Sequence, residues 1–374
     1  MKAIALIWFL MIASNISFCQ STATSSEVLA EVLKAQGALK TAEYSVERRD
    51  TLLTGDIRTM TGTVVIAVDK TDTLLGFRFW AKKHGEKEEK VYDGRVCYAI
   101  SPDTKTYRLM NSPAALHSMF LGGGGHLVIP DLVKIDTAQC NGISVMESQD
   151  HYDIIVSYPN LTDYDVTKRK KIITIDRKSM LPVAVRQHQE SYGKVQDLYF
   201  KITELKVNPP RPYNFTSLPF LKAYTYVSPE PVKTHRQPLQ GKNAPQFSLE
   251  SFDGKLISAN DWKGKVVLLD FWEIWCGPCI ESMPEVIALY NKYHDKGLAV
   301  YGITNDLKQL PSARAFAEKK KINFPLLIGN EQVKKEYQLE AVPLYVLIDK
   351  KGIIRSIRPG YSAELEEMVL DILK

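Results

Sequence analysis

Cys276 and Cys279 stand three residues apart in the run Trp275-Cys276-Gly277-Pro278-Cys279, between a buried-strand pattern and a helical one. Two thiols on the first turn of a helix can close a small disulfide and reopen it. The free N–H groups and the dipole of the helix N-terminus stabilise a thiolate at Cys276, and such placement lowers a thiol pKa from ~8.5 into the range ~3.5–7.5. Cys276 is then the nucleophile at neutral pH. Cys279, one turn in and more buried, attacks the mixed disulfide and releases product. Pro278 fits because the first turn has no use for its missing N–H. A closed zinc site needs four ligands, and no second Cys pair or close His pair accompanies this one. A purely structural bridge would close too small a loop to stabilise much. The expected chemistry is thiol–disulfide exchange, with the redox-active cysteine pair as the only reacting group and no cofactor or metal.

The elements that must position these thiols follow from Gly241 onward, where strands and helices alternate. Lys265 to Phe271 is a near-continuous apolar run, as expected of a strand buried on both faces. A helix is expected from about Pro278 to Lys296, a strand from Leu298 to Thr304, and a second helix from Ser312 to Lys320. Phe324 to Ile328 and Leu344 to Asp349 read as strands, and Ala363 to Lys374 as the last helix. Such alternation predicts a central sheet covered by helices, an α/β domain.

The preceding chain has another texture. Ser25 and Ser26 offer an N-cap to a helix carrying Val28, Leu29, Val32 and Leu33 and ending near Gly37. Strands then dominate: Val64, Ile66 and Val68 alternate with smaller or polar residues, as do Phe77 and Phe79. Asp93-Gly94 sits where a hairpin turn would. Further strands are expected at Ile154 to Tyr158, Ile172 to Asp176, Val183 to Gln187 and Val195 to Val207. One early helix and many short strands predict an antiparallel sheet wrapped against that helix, an α+β domain over residues 20–215. Prolines 229, 231, 238 and 245 in polar sequence without periodicity make a semi-rigid spacer, placed at 216–240. The α/β remainder is 241–374.

The 374 residues suit two domains and a connector, and 45% hydrophobic with 24% charged residues is the composition of a globular protein. A net charge of +5 with no basic, aromatic-laced face gives no basis for nucleic-acid binding. Lys2 followed by the apolar run Ala3 to Ala13 reads as a signal peptide over residues 1–19, cleaved before Gln20. Lipidation at Cys19 is the rival, with Phe18 where a small residue is wanted. Export to a periplasm or beyond follows, and in that compartment Cys97 and Cys140 could bridge or stay free. Gly122 to Gly125 lacks the Lys-Ser/Thr of a phosphate loop and reads as a flexible loop. Lys168 to Lys171 reads as a solvated strand edge.

The segment from Gly241 to Lys374 resembles a TlpA/ResA-type thioredoxin-like domain. The resemblance rests on Gly241-Lys242, Ala244-Pro245, Phe247, Asp253-Gly254-Lys255 and Phe271-Trp272 leading into the cysteine motif, with Leu347-Ile348-Asp349-Lys350 and Gly352 after Pro343. It implies a cis bond at Val342-Pro343 packed against the disulfide, with backbone that pairs with an incoming substrate strand. Two positions depart from the group. Ser282 stands where those domains often have Glu, and Asp270 where they often have Asn. Thioredoxins proper place a buried Asp there, so Asp270 becomes the candidate proton acceptor for Cys279, and a carboxylate buried there should titrate high. Glu273 and Glu281 are weaker candidates for that role and are expected to be exposed. Gly-Pro between the cysteines is the thioredoxin dipeptide, at the reducing end near ~−270 mV. Reduction of substrate protein disulfides, fed by a membrane thiol donor, is the activity implied.

Residues 26 to 215 resemble the LolA/LolB-like fold of periplasmic lipoprotein carriers, on Tyr92-Asp93-Gly94, Tyr152 to Tyr158, and Ile175-Asp176 followed by Leu181-Pro182. That resemblance implies an apolar concave sheet face and a hydrophobic ligand. Two other functions stay open: a thiol peroxidase of peroxiredoxin type, which wants Thr-x-x-Cys where this chain has Glu273-Ile274-Trp275-Cys276, and a lipid or lipoprotein carrier whose thioredoxin domain only docks.

Overall fold

The computed structural model describes residues 24–110, 126–162, 165–210, 213–215, 217–228 and 239–374. The expected leader, Cys19 and the Gly122–Gly125 run lie outside these residues.

Helix α1 (Ser25–Ala38) begins one residue earlier than the serines suggest, because Thr24 is the N-cap. Glu27 N–H donates to the Thr24 hydroxyl and the Glu27 carboxylate accepts from Thr24 N–H at 2.7 Å, so two end donors are satisfied reciprocally. A first meander follows: β1 (Thr41–Thr51), β2 (Ile57–Val68), β3 (Phe77–Lys83), β4 (Glu89–Tyr92), β5 (Cys97–Ser101) and β6 (Thr106–Met110). A second comprises β7 (Gly142–Glu147), β8 (His151–Ser157), β9 (Val166–Asp176), β10 (Pro182–Ser191) and β11 (Lys194–Val207). β1 pairs with β11, joining both meanders into one antiparallel sheet. Asp93-Gly94 does turn β4 into β5, with Gly94 at φ 95°, a left-handed conformation glycine adopts without penalty. One sheet face is apolar and buries Val28 and Val32 of α1 together with Leu127 to Ile129 and Leu132.

Three expectations change here. Lys168 to Lys171 is not at an edge: β9 lies between β8 and β10, and Lys171 is tucked in against buried Asp131 at 3.0 Å. Cys97 is a buried free thiol in the sheet core and Cys140 a half-buried one, so the bridge left open between them is not formed. The spacer also starts later than residue 216. Helix α2 (Phe220–Ala223) and β12 (Thr225–Tyr226) return to the sheet, β12 pairing parallel with β6. Phe215 and Phe220 pack there on Val91, Tyr98 and Ile100. Aromatic anchors hold this stretch where the proline count suggested free chain.

From Leu239 the second sheet forms in the order β17-β16-β15-β18-β19. A small hairpin, β13 (Ser248–Glu250) and β14 (Leu256–Ser258), precedes it. The sheet comprises β15 (Val266–Phe271), β16 (Leu298–Thr304), β17 (Leu326–Ile328), β18 (Leu344–Ile348) and β19 (Ile354–Pro359). β15 is parallel to β16 and antiparallel to β18. Helices α3 (Gly277–Tyr293), α4 (Leu310–Lys320), α5 (Glu331–Glu336) and α6 (Ala363–Leu373) complete it. Every residue of β15 is buried, Asp270 included, as its near-continuous apolar run requires of a strand covered on both faces. The α3 side holds Val266, Leu268, Met283 and Val286; the other face holds Val267, Leu269 and Phe271.

The two sheets meet at a few contacts around α4. The Tyr192 ring stands edge-on to Phe316 at 5.9 Å, Lys319 pairs with Asp165 at 2.8 Å, and the Gln309 amide donates to the Leu53 carbonyl at 3.2 Å. Among the described residues no helix is long and apolar enough to cross a membrane.

Candidate active site

Central strand β15 delivers the chain to the site. Beyond Phe271 the backbone leaves the sheet: Trp272 N–H still donates to the Ile303 carbonyl at 3.0 Å, and Cys276 N–H donates to the Glu273 carbonyl at 3.0 Å. That turn makes Cys276 the N-cap of α3, with Gly277 and Pro278 opening the helix. Cys276 and Cys279 are joined by a disulfide, their Cα atoms 5.3 Å apart. The Cys279 N–H donates to the Cys276 sulfur at 3.3 Å, a placement at a helix end that favours negative charge on that sulfur. Both sulfurs are largely shielded, Cys276 at 5% exposed and Cys279 at 1%. Cys276 is the less enclosed of the two residues.

Asp270 lies on β15 on the α3 side, between Leu268 and Trp272 along the strand and directly across from Gly302 and Tyr345. It is 1% exposed, and neither carboxylate oxygen has a hydrogen-bond partner among the described residues. Burial without compensation penalises the charged form and pushes its pKa up to about 8. Its place on the central strand of the sheet keeps it from solvent. Space beside it is tight: a Cβ on Gly302 would come within 2.5 Å of Leu326 Cδ2, 3.1 Å of Trp272 Nε1 and 3.4 Å of Phe324. Leu326 can rotate away but fully buried Trp272, packed against Phe316, cannot, so Gly302→Ala is expected to cost ~1–3 kcal/mol. Thermal unfolding of the variant checks it; an unchanged midpoint would show that this layer is loosely packed.

Glu273 departs from its expected exposure. It is 4% exposed, and its carboxylate accepts from the Thr304 hydroxyl at 2.6 Å and from the N–H groups of Asn305 at 2.7 Å and Asp306 at 3.2 Å. Burial nonetheless leaves its pKa raised. Its burial comes from the loop after β16 folding over it, a tertiary contact with no periodic signature in the sequence. That loop holds Asp306, whose carboxylate accepts the Trp275 indole N–H at 3.1 Å and so fixes a half-exposed ring beside Cys276. Glu281 is exposed as expected.

Val342-Pro343 is a cis peptide bond immediately before β18. Val342 packs into the same apolar cluster as both cysteines. Glu273, Trp275, Asn305, Asp306, Leu339 and Val342 are among the residues lining an open groove of about 340 Å³. Ser282, one turn past Cys279, bonds the Tyr345 hydroxyl at 2.8 Å. Sequence reasoning missed Tyr345, which reads as an ordinary aromatic strand residue. Among the described residues no cluster of His, Cys, Asp or Glu could hold a metal.

A disulfide at a helix N-terminus, following the central strand of a thioredoxin-type sheet that carries a buried acid, defines a thiol–disulfide exchange site. The AhpC/TSA family model matches residues 240–357. The thioredoxin-like protein YneN of Bacillus subtilis is 38% identical over 36% of this chain and 79% of its own length. The thiol-disulfide oxidoreductase ResA of Bacillus thuringiensis is 36% identical over 35% of this chain and 78% of its own. A solved thioredoxin domain of a Bacteroides vulgatus thiol-disulfide oxidoreductase aligns at 27% identity and TM-score 0.34, over 36% of this chain and 98% of that one. Through its C-terminal part, the chain belongs to the TlpA/ResA-like thiol-disulfide oxidoreductases.

Proposed function

We propose that the protein reduces disulfides of substrate proteins outside the cytoplasm, cycling Cys276 and Cys279 between dithiol and disulfide. The observation that carries this is the Cys276–Cys279 bond itself, closed at a helix N-terminus next to Trp275, which lines the groove. Cys276 is the attacking thiolate, Cys279 the resolving thiol and Asp270 its proton acceptor. Trp275 and Val342-Pro343 flank the path of an incoming peptide, whose backbone would pair with the chain at Val342 before it enters β18. The Gly277-Pro278 dipeptide supports the reducing direction, and a reductant working in an oxidising compartment needs a membrane thiol donor. The leader-like first nineteen residues support export to a periplasm or beyond. The sheet that precedes Tyr226 is proposed to be LolA-like; since residues 127–135 pack on its apolar face, a hydrophobic ligand would have to displace them.

A thiol peroxidase has less support, because Glu273-Ile274-Trp275 precedes Cys276 without the threonine that chemistry uses. Docking without catalysis would have no need of a closed dithiol. The full chain and residues 239–374 alone are both expected to reduce insulin, since few contacts tie the two sheets. The Cys276/Cys279 couple should lie nearer ~−270 mV than ~−120 mV. A strongly oxidising couple would reverse the direction; an unfolded fragment would show that the sheets share a core.

A further inference from the structure

Ser282 and Tyr345 are joined side chain to side chain, Oγ to Oη at 2.8 Å. The single Ser282 proton faces the carbonyls of Pro278 at 2.9 Å and Cys279 at 3.3 Å, which can only accept. Tyr345 is therefore the donor to Ser282. Its ring is buried, 1% exposed, and touches Tyr361 edge-on at 5.8 Å. Removing either hydroxyl leaves this packing in place.

The bond spans the two halves of the site. Ser282 lies one turn past Cys279 on α3, the helix that presents both sulfurs. Tyr345 is the second residue of β18, whose chain arrives directly from the 339–342 segment that walls the groove. Apart from Asp270, which lies across from Tyr345, the surroundings are apolar: Cys279, Met283, Tyr345 and Leu347 share one cluster. Apolar contacts fix proximity but are non-directional, whereas a hydrogen bond also fixes orientation. Thiolate attack on a disulfide needs the incoming and leaving sulfurs in line, so a small shift of α3 against the groove wall misplaces the attack.

We propose that the Ser282–Tyr345 hydrogen bond is a positioning device for exchange with peptide disulfides, holding the Cys276 sulfur in register with a chain docked along residues 339–342. Neither side chain touches the reacting atoms; both act through the helix and the strand that carry them. The inference rests on the reading that substrate peptides dock in the groove beside Trp275. It specifies that the pair matters for substrates that contact groove and sulfur together, and not for a small disulfide that contacts the sulfur alone.

The test uses the full chain with Ser282→Ala, Tyr345→Phe and the double variant, each confirmed folded by its melting curve. Two rates are read: kcat/KM for a disulfide-bonded peptide, and the reaction of the reduced protein with 5,5′-dithiobis(2-nitrobenzoate). Each single variant is expected to lower the peptide value by ~3–10-fold, the worth of one net hydrogen bond. The small disulfide should react within about twofold of the parent rate, and the double variant should be no slower than either single one. Equal loss on both probes, additive losses in the double variant, or no loss in either single one overturns the proposal. Trp275→Ala separates the two readings. If it leaves peptide reduction unchanged, the groove reading fails and the positioning role goes with it. If it slows peptide reduction while the hydroxyl variants do not, only the positioning role fails.

Discussion

Cys279→Ser protein is expected to accumulate as a covalent mixed disulfide with its substrate, while Cys276→Ser protein shows no turnover and traps nothing. The Cys276 thiolate attacks one sulfur of the substrate disulfide, forms the mixed disulfide and expels the other sulfur as thiolate. Cys279 would then attack the Cys276 sulfur, close the enzyme disulfide and expel the second substrate thiolate, moving two electrons to substrate in all. Without Cys279 the second displacement has no nucleophile. The assignment follows from position: Cys276 caps the helix and receives an N–H on its sulfur, whereas Cys279 sits 1% exposed beneath it. Non-reducing electrophoresis after incubation with a peptide disulfide reads the outcome. Stable adducts recovered only from Cys276→Ser protein would reverse the two roles.

Asp270→Asn is expected to slow the resolving step by ~10²-fold at neutral pH while leaving alkylation of Cys276 much less changed. Asn matches Asp in size but cannot take the Cys279 proton. Cys276 depends instead on the helix terminus, which the substitution does not touch. Resolution in the parent should rise with pH as Asp270 ionises, with a midpoint near the value of about 8 that burial imposes. A variant with the parent's rates from pH 6 to 8 would remove Asp270 from the mechanism.

The same carboxyl makes a stability prediction with a definite sign. Its folded pKa of about 8 lies above the ordinary 3.8, so the folded state binds the proton more tightly than the unfolded one. Below about pH 4 both states are protonated and the group is neutral in effect. As pH rises toward 8 only the unfolded state ionises, and the parent loses up to ~1.4 kcal/mol per pH unit. The stability of Asp270→Asn relative to the parent should therefore climb between about pH 4 and pH 8 and level off on either side. Denaturant unfolding of the oxidised proteins across that range measures it. A flat difference would mean that the carboxyl is solvated.

Much of this site was legible in one dimension because its parts are adjacent in the chain. An apolar run of strand length, a tryptophan, two cysteines three apart and a helix-opening proline are local signals, and each has a local physical cause. The central strand, its order of elements and the redox pair follow from them. Even the burial of Asp270 could be argued, since a residue inside a strand covered on both faces has nowhere to reach water. The edges of the fold were less legible. β19, with Arg355 and Arg358 among its few apolar residues, gives too short and polar a pattern to register as a strand. The stretch from Phe215 to Tyr226 was misread for a related reason: local composition reported a spacer, while distant residues of β4 to β6 supplied the aromatic contacts that hold it.

What the sequence by itself determined is the chemistry and its carrier, because the spacing of Cys276 and Cys279 and the helix start between them are properties of neighbouring residues. What only the tertiary structure decided is the surroundings of that chemistry. Glu273 is buried because residues 304–306 fold over it, Trp275 is aimed because Asp306 accepts its N–H, and Ser282 acquires a role because Tyr345, sixty-three positions away, donates to it. Each of these depends on pairing between strands far apart in the chain. Hydrophobic periodicity records which way a residue faces, but it carries no information about which distant polar group will meet it there.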